Sequence, residues 1–105
     1  MANNPIKEIF SENLLKFNPN LCRYTKDIIF DEVLLDESLS SKTRSLVTLT
    51  LLTAIGNSDQ MPYHLATAYQ NGLTKKELSA LCTHLMFYLG LPKTMLLVDQ
   101  INAPG

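Results

Sequence analysis

The chain has 105 residues, a net charge of −1 and only 18% charged residues, which is one domain's worth of ordinary globular polypeptide. Its only basic doublet is Lys75-Lys76, too little for the basic stripe that nucleic acid demands. Its longest apolar stretch, Leu46 to Ile55, is broken by threonines and too short to span a bilayer.

The N-terminus, MANNPIKEIF, is too polar for a secretory signal, so the chain reads as a cytoplasmic protein. Cys22 and Cys82 are far apart and fit neither a disulfide framework nor a zinc spacing, so both read as reduced thiols. A chain this size buries roughly 65% of its unfolded surface, enough for one modest core but not for a deep private cavity as well. Apolar residues make up 46% of it, and the charged share falls below the usual quarter or so. Both facts favour a homo-oligomer with apolar interfaces.

The elements read as helix after helix. Pro5 suits the first position of a helix starting near Asn4, with Ile6, Ile9, Phe10, Leu14 and Phe17 at three- and four-residue steps. Asn18-Pro19-Asn20 breaks it. A second segment runs from about Leu21 to Leu35, where an α-helical period puts Leu21, Tyr24, Ile28 and Leu35 on one face. The β-branched Ile28, Ile29 and Val33 argue against an uninterrupted α-helix there. A third helix, capped by Ser40 or Ser41, runs to Gly56 and is apolar or threonine at nearly every position after Ser45, which predicts burial on most sides.

Asn57-Ser58-Asp59 is a cap cluster for a fourth helix that ends at Asn71-Gly72, with Gly72 in a left-handed position. The fifth helix opens on a capping box, Thr74-Lys75-Lys76-Glu77, with Leu73 and Leu78 placed as a hydrophobic staple. Its stripe is Leu78, Leu81, Cys82, Leu85, Met86 and Leu89. Gly90 stops it, and Pro92 starts a sixth helix carrying Met95, Leu96 and Val98.

The order of four motifs makes residues 30–98 resemble the carboxymuconolactone decarboxylase-like family. They are Lys42-Thr43-Arg44-Ser45-Leu46-Val47; His64 with Ala68; Asn71-Gly72-Leu73-Thr74 with Glu77; and Tyr88-Leu89-Gly90-Leu91-Pro92. The resemblance implies a single all-α domain over residues 1–105, an AhpD-like fold of five to six helices with a helical-hairpin core. It also implies a homo-oligomer, trimer or hexamer, with sites between subunits.

One branch of that family is AhpD-like alkylhydroperoxidases, which use a C-x-x-C pair. Counted back from His64, the cysteine positions are Asn57 and Gln60, and the upstream glutamate position is Ser45. Peroxide chemistry needs a thiolate and a resolving thiol, so the resemblance points instead to the decarboxylase branch. Decarboxylases commonly follow the equivalent of Glu32-Val33 with a tryptophan and an Arg-Pro-Gly turn. Here Leu34-Leu35-Asp36-Glu37-Ser38 stands in that place, and the chain has no tryptophan.

The implied activity is a carboxy-lyase without cofactor or metal, acting on a small carboxylic acid or lactone. His64 would protonate the carbanion left by decarboxylation. Arg44 would clamp a carboxylate. Glu32 would relay a proton or orient His64 or Arg44. Gln60, one helical turn before His64, would donate to a substrate oxygen, with Asn57 and Ser45 as further substrate contacts.

Each assignment has a plainer alternative: a packed histidine, a first-turn arginine paired with Glu32 or Asp36, a solvated glutamate, a helix-capping asparagine. Further readings are peroxidase activity and a non-catalytic oligomer that binds a small ligand. His84, with Leu81 and Tyr88 as helical neighbours, reads as a core or interface residue. Tyr63, Tyr69, Phe87 and Tyr88 read as packing and interface residues.

Overall fold

The computed structural model describes residues 15–104, and all the regular structure among them is helical. The helix expected from Asn4 lies outside the described residues except for its end, residues 15–17, which is helical. The chain divides into two compact units, one up to Ser41 and one from Lys42 onward.

In the first unit, α1 (Pro19–Arg23) starts with Pro19 in its first turn and Asn18 at its N-cap, where Asn18 Oδ1 accepts from the Leu21 N–H at 3.0 Å. It runs into a π-wound segment, Tyr24–Val33, that ends with the Leu34 N–H on the Ile29 carbonyl, five residues back, at 2.8 Å. The β-branched run that disfavours an α-helix thus leaves the chain helical but more widely wound. The wider winding replaces the 3.6-residue period, and Leu21, Tyr24, Ile28 and Leu35 do not form a buried face: all four are exposed. Arg23 lies over the Tyr24 ring at 4.4 Å.

The second unit holds α2 (Ser41–Ile55) from its second residue onward, a short 3₁₀ turn (Ser58–Gln60), α3 (Met61–Gln70), α4 (Lys75–Leu89) and α5 (Leu91–Asn102). Its core is Leu49, Met61, Leu65, Ala68, Leu73, Leu78, Cys82, Leu85 and Leu97, so every one of these helices contributes. The heart of it is the pair α4 and α5, which pack along each other across Gly90; α5 also packs against α3 and the 3₁₀ turn. The capping box is formed: Thr74 Oγ1 accepts from the Glu77 N–H at 3.1 Å, and Glu77 Oε1 accepts from the Thr74 N–H at 3.0 Å. Leu73 and Leu78 are both buried beside it. Gly72 has φ +95, as a left-handed helix end requires.

α2 departs from expectation. Only Ser45, Leu49 and Thr53 are buried, a single stripe at four-residue steps. Val47, Leu51 and Ile55 are exposed, Ile55 at 70%. An apolar sequence therefore does not mean burial on most sides within one chain; Leu46 and Leu52 flank the stripe, partly buried against the core, while Val47, Leu51 and Ile55 face outward. Its buried threonine is satisfied internally, Thr53 Oγ1 donating to the Leu49 carbonyl at 2.7 Å.

Candidate active site

His64 stands on the second turn of α3, between the fully buried Met61 and the buried Leu65. It is half-buried, and burial pushes its pKa below the ordinary 6.5. No hydrogen bond or ion pair joins its imidazole to another described residue. Gln60 closes the 3₁₀ turn one helical step earlier, half-buried and with no side-chain cap bond. Asn57 stands at the start of that turn, also half-buried. Its side chain makes no capping bond, so the expected cap cluster is not built through Asn57. With φ −88° and ψ 74°, Asn57 is neither helical nor extended, and it turns the chain out of α2 instead.

Three half-buried polar side chains thus follow one another from 57 to 64 with no bonding partner among the described residues. Half-buried polar groups left unpaired by protein are ready for water or ligand. Their backbone is held where it leaves α2. Lys93 on α5 donates to the Ala54 carbonyl at 2.6 Å, at the end of α2, and the Asn57 N–H bonds to the Leu52 carbonyl at 2.9 Å.

Arg44 lies in the first turn of α2 and is half-buried. Ser45, the next residue, is 6% exposed, and its hydroxyl accepts from Asn71 Nδ2 at 2.9 Å. Glu32 sits exposed near the end of the π-wound segment, in the other unit. His84 is exposed rather than in the core, its ring 5.1 Å from that of Tyr88. Tyr63, Tyr69, Phe87 and Tyr88 all lie at the surface of the chain.

Sequence reading had no signal for two polar ties at the start of α2. One joins Ser45 to Asn71, 26 residues away. The other joins Lys42 Nζ to Glu77 Oε2 at 2.8 Å. Glu77 was legible as a capping residue and Asn71 as a helix end, but pairings across such separations leave no mark in one sequence.

Residues 19–102 match the model of the Carboxymuconolactone decarboxylase family. The chain belongs to that family. It is similar to a 4-carboxymuconolactone decarboxylase of Acinetobacter baylyi, 40% identical over 81 residues, a stretch that makes up 77% of this chain and 60% of the relative. The chain therefore spans about three-fifths of the length of the relative it matches.

Within the family, this member has Asn57 and Gln60 at the positions that the resemblance gives to a cysteine pair. Its own cysteines do not replace that pair. Cys22 and Cys82 are buried and unbridged, and burial pushes the Cys82 thiol up, away from the thiolate that peroxide chemistry uses. Among the described residues no group of three or more His, Cys, Asp or Glu side chains is arranged to hold a metal ion. No helix among them is long and apolar enough to cross a membrane.

Proposed function

We propose that this chain is a cofactor-independent carboxy-lyase that decarboxylates a small carboxylated lactone or a related acid, and that it works as a homo-oligomer. The observation that carries this reading is the unpartnered, half-buried imidazole of His64, one turn after an equally unpartnered Gln60. Membership of the family and the similarity to a 4-carboxymuconolactone decarboxylase support the reaction type.

In the proposed chemistry the bond between the carboxylate carbon and the ring breaks, and CO₂ leaves. The electron pair stays on the ring, delocalised into the lactone carbonyl as a dienolate, which removes the need for an external electron sink. His64 as imidazolium gives its proton to carbon, and the neutral imidazole recovers one from solvent. Arg44 binds a carboxylate of the substrate through its guanidinium fork. Asn57 and Gln60 donate to substrate oxygens and so favour the charge that develops there. Ser45 borders this anchor.

The test is turnover of 4-carboxymuconolactone, followed as CO₂ release. The wild-type protein should turn it over, and His64→Ala should lower kcat by about 10²- to 10⁴-fold, the usual reach of a positioned acid. A wild-type protein inert towards this and related lactone acids would sink the lyase reading.

A further inference from the structure

The last turn of a helix leaves carbonyls without intrahelical donors. At the end of α2 the residues just beyond supply two of these donors. The Asn57 N–H bonds to the Leu52 carbonyl at 2.9 Å and the Gly56 N–H to the Thr53 carbonyl at 3.2 Å, with Gly56 at φ +75. The Ala54 carbonyl takes its donor from 39 residues further on, the Lys93 ammonium at 2.6 Å. The last turn of α2 has no basic residue of its own. Lys93 thus brings it the cation that a helix C-terminus favours. Lys93 sits in the first turn of α5, and α5 also packs against the 3₁₀ turn.

The chain that follows the Ala54 carbonyl has little else to anchor it. None of the residues 54–60 is buried, and the stretch holds Asn57 and Gln60. Neither amide makes a capping bond that would fix its side chain. Their direction therefore depends on the backbone that carries them. His64 differs, because buried Met61 and Leu65 on either side of it seat its helix against the core.

We infer that Lys93 is a positioning residue for Asn57 and Gln60: its ammonium ties the end of α2 to α5 and so holds the turn that aims the two amides. Lys93 is exposed, and water can replace it at the Ala54 carbonyl at small cost to the fold. Its effect is therefore local. The catalytic consequence rests on reading Asn57 and Gln60 as donors to substrate oxygens. The hold on the turn does not.

Neither Lys93 nor Ala54 belongs to the buried core, so Lys93→Met should fold. In that variant the Asn57 N–H should exchange with D₂O about five- to tenfold faster, while the Leu85 and Leu97 amides of the core keep their rates within about twofold. Lys93→Arg, which keeps the charge and the donors, should restore the wild-type rate at Asn57. An unchanged Asn57 rate in Lys93→Met overturns the inference. So does a Lys93→Met protein that fails to fold, or that speeds exchange equally at Leu97, since the tie would then serve the fold as a whole.

With 4-carboxymuconolactone as substrate, Lys93→Met should lower kcat by about three- to tenfold and leave KM within about twofold, because the amides act on charge that develops in the transition state. Lys93→Arg should recover most of that loss. A rise in KM at constant kcat counts against positioning of these amides. If the wild-type protein does not turn this substrate over, the lyase reading fails, and exchange at Asn57 still decides whether Lys93 holds the turn.

Discussion

His64 shows how far a single side chain fixes a testable chemistry. Burial disfavours the imidazolium, which pushes the His64 pKa below the ordinary 6.5. A proton donor to carbon must be protonated in the productive complex. It follows that kcat/KM should fall as pH rises through that lowered pKa. An anionic substrate beside the ring favours the imidazolium, so the midpoint seen in kcat should lie at higher pH than the one in kcat/KM. Rates measured between about pH 5 and pH 8 check this; a kcat/KM that climbs with pH would assign His64 to base catalysis instead. The sequence made His64, Gln60 and Asn57 legible through helical spacing and family resemblance. It did not show that Asn57 leaves its side chain uncapped, or that Ser45 is buried against Asn71. Those facts depend on how distant segments meet, which local spacing does not encode.

At the scale of the element, local signals were read well where the physics is local. The capping box, the staple, Gly72 and the break at Gly90 involve residues within a turn of one another, and all four are formed. The second segment was legible as helical with its continuity in question, because β-branched crowding says what is disfavoured and not which wider winding replaces it. Gly90 carries a prediction of its own. It has φ +83 and ψ +163, a region that belongs to glycine, while an added Cβ would meet nothing closer than Pro92 Cδ at 3.9 Å. Space is not the constraint; backbone strain is. Gly90→Ala should therefore cost about 1–3 kcal/mol of stability, read as a lower midpoint in urea with an unchanged slope. Because α4 and α5 pack along each other across this residue, the loss should extend to the core rather than to a frayed end. A variant as stable as the wild type would show that the corner adopts another backbone conformation at no cost.

For the whole molecule, composition pointed to more apolar surface than one chain of this size can hide, and exposure bears on the same point. The corner between α4 and α5 presents Phe87 at 79% exposure and Tyr88 at 75%, flanked by Met86 and Leu91, which are exposed too. Scattered apolar residues are normal on a surface; neighbouring large ones, two of them aromatic, are typical of an interface. What covers them is not legible in one sequence, since an interface is a property of two chains. The proposed homo-oligomer gives them a partner. Sedimentation should then return a small multiple of 11.8 kDa. Replacing the two aromatics, Phe87→Glu with Tyr88→Lys, should shift the protein towards the monomer without unfolding it, because neither side chain belongs to the buried core. If the site needs a second copy, turnover should fall in step with dissociation and recover as protein concentration rises, since assembly follows mass action. A wild-type protein that sediments as a monomer at every concentration would remove the oligomer from the proposal, and the site would have to be complete within one chain.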